Sequence, residues 1–442
     1  MKNKFNLFQI LALTLALVTW SCEEEELQNV LYGQVCPSGV KAPKNIGSKM
    51  LVTPDTLRDQ LFHSNTSILL GLNKVHQAKA EINVARANLY PSLNLGALLF
   101  SAGKPTFTAS AVEVLLPFLV PSKWVDYDQS KDQFLSQMHA LKAIRLNSYA
   151  SAYSVYQMIL SDLKLYRILQ DEIKDLEDIQ NTVHKLYLAG LTSKSDFDKA
   201  TGYTQMAKAG ISKVEGIIAK EQSGLRHAMG LDSDVQFTWQ EAAVSSSPYE
   251  SAPVKQVVSQ ALKLSPEMSQ INAMYKAAQE EVFSNEYAFI GGGSIQSPSL
   301  TSGNSSVAFD NVNIGLNFNI GYAQVAMVEL SEERAKEIEI RKQEIKYELA
   351  DRSEYSQKLV QEAINRQELS LSAEKAFKSV YERELIKYKY GYLDVLTLLQ
   401  SRSKYREATI EVLKAKTELD LSRIVLHRLL LSDEFSEIKN CY

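Results

Sequence analysis

Few residues of this chain are placed to do covalent chemistry. The six histidines, His63, His76, His139, His184, His227 and His427, are dispersed and share no metal-ligand spacing. No phosphate-loop motif and no Gly-x-Ser-x-Gly occurs. Gly291-Gly292-Gly293 is too short a signal for a nucleotide site. Acidic neighbours such as Glu332-Glu333 read as solvated helix faces, not acid–base dyads. No enzyme activity, cofactor or metal is expected. The residues that stand out follow two glycine-ended helices. Asp196 and Asp198 come after Tyr187-x-x-Gly190, and Asp394 comes after Tyr388-x-x-Gly391. Carboxylates there would cap the next helix and meet its positive end.

Three cysteines are present, Cys22, Cys36 and Cys441. Lys2 and Lys4 precede an apolar run from Phe8 to Val18, which is short for a membrane span and reads as an export signal. Ser21-Cys22 follows it and resembles the bacterial lipobox, in which the cysteine receives lipid and becomes the mature N-terminus. Thr19 and Trp20 depart from that box, so ordinary signal cleavage is the competing reading. In an exported protein Cys36 and Cys441 either bridge the two tails or remain separate thiols.

These residues need long elements to position them. The chain has 442 residues, with 48 basic and 52 acidic side chains well mixed beyond residue 126. That balance suits solvated helices and gives no basic patch for a nucleic acid. Residues 1–21 read as the signal, and 22–53 as an extended tail interrupted by Gly33, Pro37, Gly39, Pro43 and Gly47. A helix opens at Thr53-Pro54, runs on an apolar stripe including Leu57, Leu61, Ile68 and Val75, and stops at Pro91. The period then changes to two, which predicts a β-hairpin over 92–120 around Gly103-Lys104-Pro105. A helix free of Pro and Gly follows from about Asp126 to Leu188, at 1.5 Å per residue roughly 90 Å long. A shorter helix returns to about Met229, and 231–251 is a linker.

The plan then repeats: helix from Ala252, hairpin over 287–320, an uninterrupted rod to Tyr390, and a return to Leu431. The two Tyr-x-x-Gly turns are 201 residues apart. Two repeats follow, 54–230 and 252–431, with 432–442 as a C-terminal tail. In the last strand Val312, Ile314, Leu316 and Phe318 alternate with small or polar residues, as in a barrel wall between lipid and water. Four strands cannot close alone, because open edges leave backbone groups unpaired in hydrocarbon. Three copies would supply about twelve strands, within the range of outer-membrane barrels.

With these features in place, the chain resembles the TolC-like outer-membrane efflux and secretion channels. The resemblance rests on Leu89-Tyr90-Pro91-Ser92-Leu93, both Tyr-x-x-Gly turns, Leu393-Asp394-Val395-Leu396 and the order of elements. It implies a mostly α fold with a β-barrel part: a trimeric helical tube joined to a 12-stranded transmembrane barrel, four strands per chain. It implies a homotrimer in the outer membrane with a long periplasmic extension, lipid-anchored at Cys22. Such a duct serves a tripartite efflux pump or type I secretion system, taking cargo from an inner-membrane transporter through a periplasmic adaptor. By the same resemblance, Asp394, with Asp196 and Asp198, would ring the periplasmic entrance, and Tyr187, Gly190, Tyr388 and Gly391 would shape tips that meet the adaptor. The rival is a periplasmic coiled-coil spacer lipoprotein, which would share the rods and the anchor but not need the hairpins.

Overall fold

The computed structural model describes residues 49–90, 121–287 and 322–438. Eight helices carry the fold: α1 (Pro54–Ser64), α2 (Thr66–Ala87), α3 (Pro121–Leu188), α4 (Lys194–Ala228), α5 (Val254–Leu264), α6 (Pro266–Tyr287), α7 (Tyr322–Lys389) and α8 (Val395–Leu430). The second four repeat the first four at an offset of 200 or 201 residues. Lengths repeat as well. α1, α2 and α4 have 11, 22 and 35 residues, together the 68 of α3. α5, α6 and α8 have 11, 22 and 36, beside the 68 of α7. Two short segments stacked end to end therefore match one rod of about 100 Å. Both predicted hairpins lie outside the described residues, except that Tyr287, expected in a strand, is the last residue of α6.

Three expectations are corrected. The helix opening at Pro54 is two helices, because Asn65 breaks it. Its side chain accepts from the backbone N–H groups of Ser67 and Ile68 and donates to the Ala228 carbonyl at 2.7 Å. Ser265 breaks the second repeat at the equivalent point, where Pro266 cannot continue α5. The tail to residue 53 is not wholly irregular. β1 (Lys49–Val52) pairs in parallel with β2 (Gln236–Trp239), Lys49 opposite Gln236, inside the expected linker. The first rod begins at Pro121, earlier than Asp126, with proline at the first position where its missing N–H costs nothing.

Packing sets the columns of a wall. α3 contacts α2 and α4 of its own repeat and α6 and α8 of the other, α7 packs on α5, α6 and α8, and α4 also touches α8 near the tips. The order is α1–α2–α4, then α3, then α5–α6–α8, then α7. The main core lies where the short helices meet beside the middle of α3. Tyr149, Tyr153 and Tyr156 there join Leu57, Leu61, Leu225, Met229 and Phe435. Gly230 sits at this joint with φ +62°, and a Cβ on it would lie 2.6 Å from the Ser64 carbonyl oxygen. Buried charges tie these parts together: Arg428 pairs with Glu267 within the second repeat and reaches the first by donating to Asn147 at 2.8 Å, and Arg423 grips Glu250 of the linker with two bonds. No described helix is long and apolar enough to cross a membrane, which says nothing of a β-barrel.

Candidate functional site

Both rods end in the same way. Gly190 and Gly391 have φ of +72° and +75°, the left-handed conformation that glycine adopts without a Cβ penalty. Leu191 N–H donates to Leu186 O at 2.8 Å and Gly190 N–H to Tyr187 O at 2.9 Å. Tyr392 N–H to Lys387 O and Gly391 N–H to Tyr388 O repeat the pattern at 2.9 and 3.0 Å. This pairing is the Schellman motif, which satisfies carbonyls left open at a helix end. The expected tip residues are therefore at equivalent positions. Tyr187 lies parallel to Phe197 with ring centroids 6.1 Å apart, and Tyr388 packs half-buried on the core shared by all four columns.

The carboxylates are not equivalent in the way their residue type suggests. Counting from each glycine, Asp394 corresponds to Ser193, and Asp196 to Thr397. Ser193 caps α4 through its hydroxyl, which accepts from Asp196 N–H at 3.2 Å, and Asp196 reaches back to that hydroxyl at 2.8 Å. At the second turn Asp394 caps α8, accepting from Thr397 N–H at 2.9 Å and from the Thr397 hydroxyl at 2.7 Å. Hydroxyl and carboxylate have exchanged places between the repeats. The Thr397 side chain first, then backbone donors, hold the Asp394 carboxyl below the usual range. The Ser193 hydroxyl does most of the same for Asp196, with Thr192 and Lys199 adding to it. Asp198 is exposed, and no side-chain bond of it is described. The two turns adjoin: the charge of Asp196 helps raise the Tyr388 phenol, after burial. Around the glycines Leu188, Leu191, Tyr390 and Tyr392 are 71–82 % exposed.

A charged cluster above the tips had no clear sequence signal, because it joins α3 to α8 across the repeats. Glu172, 2 % exposed, pairs with Arg406 at 3.0 Å, and Arg402 pairs with Asp175 at 2.7 Å and lies against the stacked rings of Tyr381 and Tyr405. Glu172, Arg402 and Arg406 line a cavity of about 110 Å³ with Met206 and Leu399, and the buried Glu172 Oε2 has no hydrogen-bond partner. Burial pushes the Glu172 carboxyl up despite both arginines. Among the described residues no group of three His, Cys, Asp or Glu could hold a metal. Cys22, Cys36 and Cys441 lie outside the described residues.

Comparison with known proteins agrees with this geometry. The family model for outer membrane efflux proteins matches residues 57–231. The probable outer membrane lipoprotein SilC of Salmonella typhimurium is 25 % identical over 261 residues, 56 % of this chain and 54 % of SilC. The aligned stretch thus spans about half the length of that curated relative. Two solved structures cover far more. CusC, whose crystal structures concern transmembrane channel formation, superposes with a TM-score of 0.68 at 14 % identity over 90 % of this chain and 97 % of CusC. The CmeC outer membrane channel of Campylobacter jejuni gives 0.67 at 13 % identity over 88 % of this chain and 89 % of CmeC. The first repeat therefore carries the sequence signature of the outer membrane efflux proteins, and the chain as a whole has the fold of the TolC-like outer-membrane channels.

Proposed function

We propose that three copies of this chain close into a passive exit duct through the outer membrane. The observation that carries this reading is the four-column helical wall with unpartnered edges and level tips. One edge is α2 with α4 and the other is α7, two different surfaces, so copies associate head to tail and a ring closes them. The 100 Å rods give the duct a periplasmic reach, and Cys22 anchors it by lipid. We assign the segments 92–120 and 288–320 to its barrel, with four strands from each chain. The duct is a conduit for an efflux pump or a type I secretion system, with no catalytic step of its own.

The tips are its periplasmic entrance. Leu188, Leu191, Tyr390 and Tyr392 surround the two glycines with exposed apolar and aromatic surface, a docking site for the periplasmic adaptor of an inner-membrane transporter. Asp394, Asp196 and Asp198 supply the negative charge at that entrance. For the first two, hydrogen bonds that favour the ionised form keep the charge in place at neutral pH. Crosslinkers placed at Leu191 and Tyr392 in cells should recover one adaptor and its transporter. Crosslinks confined to envelope scaffold proteins would favour the spacer reading instead.

A further inference from the structure

The duct reading gives no use to the charged cavity between α3, α4 and α8. Its charged groups are fixed through some of their atoms and left open at others. Glu172 Oε1 accepts from Arg406 Nη1 at 3.0 Å, and Arg406 Nη2 donates to the Ser403 hydroxyl at 3.3 Å. Arg402 Nη2 pairs with Asp175 at 2.7 Å. Glu172 Oε2, Arg402 Nε and Arg406 Nε remain, all buried and all without a hydrogen-bond partner within the chain. Their three residues line one cavity of about 110 Å³, which Tyr203, Ser403 and apolar side chains complete. Glu172 and Arg402 are both more than nine-tenths buried. A buried polar atom without a bond is unfavourable, and more so when its group is charged.

These three atoms define what would satisfy them. The Nε–H groups only donate, so they call for lone pairs. An ionised carboxylate only accepts, so Oε2 calls for a hydrogen. A fitting ligand therefore offers at least two acceptor oxygens and one hydrogen. Two guanidinium groups and one carboxylate line the cavity, while Asp175 stands outside it, 47 % exposed, so a negative ligand is favoured. At roughly 10–15 Å³ for each water-sized site, the cavity takes a group of four or five heavy atoms, not a sugar or a nucleotide. We propose that it binds a small oxyanion that carries a proton, such as hydrogen phosphate or bicarbonate. Arg402 and Arg406 donate to the anion's oxygens, and its hydroxyl donates to Glu172 Oε2. Glu172 belongs to the first repeat and both arginines to the second. The bound anion thus bridges the repeats, roughly 24 Å from the end of α3 by helix rise. The site lies within one chain and does not depend on the ring-closing reading.

The test is calorimetric titration of the purified full chain with inorganic phosphate at pH 8, and with sulfate at matched ionic strength. Hydrogen phosphate and sulfate share shape and charge at this pH, but only phosphate carries a proton. The wild type should bind phosphate saturably, with one site per chain, at least about tenfold more tightly than sulfate. Glu172→Gln keeps an oxygen for Arg406 and offers the anion an N–H in place of a lone pair. It should bring the two anions to within about threefold of each other. Arg402→Lys keeps the charge but loses the Nε–H, and should weaken phosphate binding about tenfold. Circular dichroism confirms that each variant is folded. No saturable phosphate binding in the wild type would leave the cavity to water and overturn the proposal. Equal affinity for both anions, or full selectivity retained in folded Glu172→Gln, would overturn it as well. Should Glu172→Gln not fold, the wild-type comparison and Arg402→Lys decide.

Discussion

Gly230 and Gly391 share a backbone conformation and have opposite surroundings, so together they separate strain from clash. Alanine at Gly391 adopts φ +75° with nothing within 4 Å of its Cβ. It should cost only the left-handed penalty, about 1 kcal/mol. Alanine at Gly230 carries the same penalty and also places its Cβ 2.6 Å from Ser64 O and 3.0 Å from Ser64 Cβ. The obstructing atom is backbone at the end of α1, and Asn65 ties that end to the Ala228 carbonyl. Neither segment can yield without opening the joint, which adds a further 1–3 kcal/mol or so, typical of overpacking. The total is roughly 2–4 kcal/mol. Tryptophan fluorescence in a urea titration reports on this joint, since Trp239 packs on Tyr156 and Phe237. Gly230→Ala should shift the unfolding midpoint several times further than Gly391→Ala. Equal shifts would refute the close approach at the helix junction.

Other perturbations probe the same architecture. Asn65→Ala removes an N-cap and a cross-helix bond, and should cost about 1–2 kcal/mol by the same titration. Burial, with the charge of Asp162 beside it, pushes the Glu221 carboxyl up to about 7. Its folded pKa exceeds its unfolded one, so its contribution is fully present below about pH 4.3 and lost as pH rises through 7. Glu221→Gln should therefore stabilise the protein at pH 8, by about 1 kcal/mol once solvent screening is discounted. It should also flatten the stability profile between pH 5 and 8; an unchanged profile would contradict the assignment. Asp394→Asn keeps a capping side chain and removes the charge. It should alter conductance or cation block without loss of assembly. In the wild type that block should persist as pH falls through 4, because the Asp394 carboxyl is held low.

The duplication, both rods and both glycine turns are legible in the sequence, because each is written locally: an absence of Pro and Gly, then Tyr-x-x-Gly. The breaks at Asn65 and Ser265 are harder to read. Asparagine and serine occur inside many helices, and Asn65 becomes a break through a partner 163 residues away. β1 has only four residues, directly after a run of glycines and prolines, and its partner lies beyond the whole first repeat. At the tips, residue type misleads where counting does not. Asp196 looks like the counterpart of Asp394, yet Ser193 holds the equivalent cap. The central core is the least legible part, since Phe435 reaches Tyr149 only when the chain's end folds back onto the middle of α3.

The central claim is a conducting duct, and single-channel recording from the purified protein in planar lipid bilayers tests it most directly. The account predicts reproducible unit conductance steps that change in size or cation sensitivity in Asp394→Asn. A folded trimer that inserts and passes no current would contradict it, and would leave the rods as an envelope spacer.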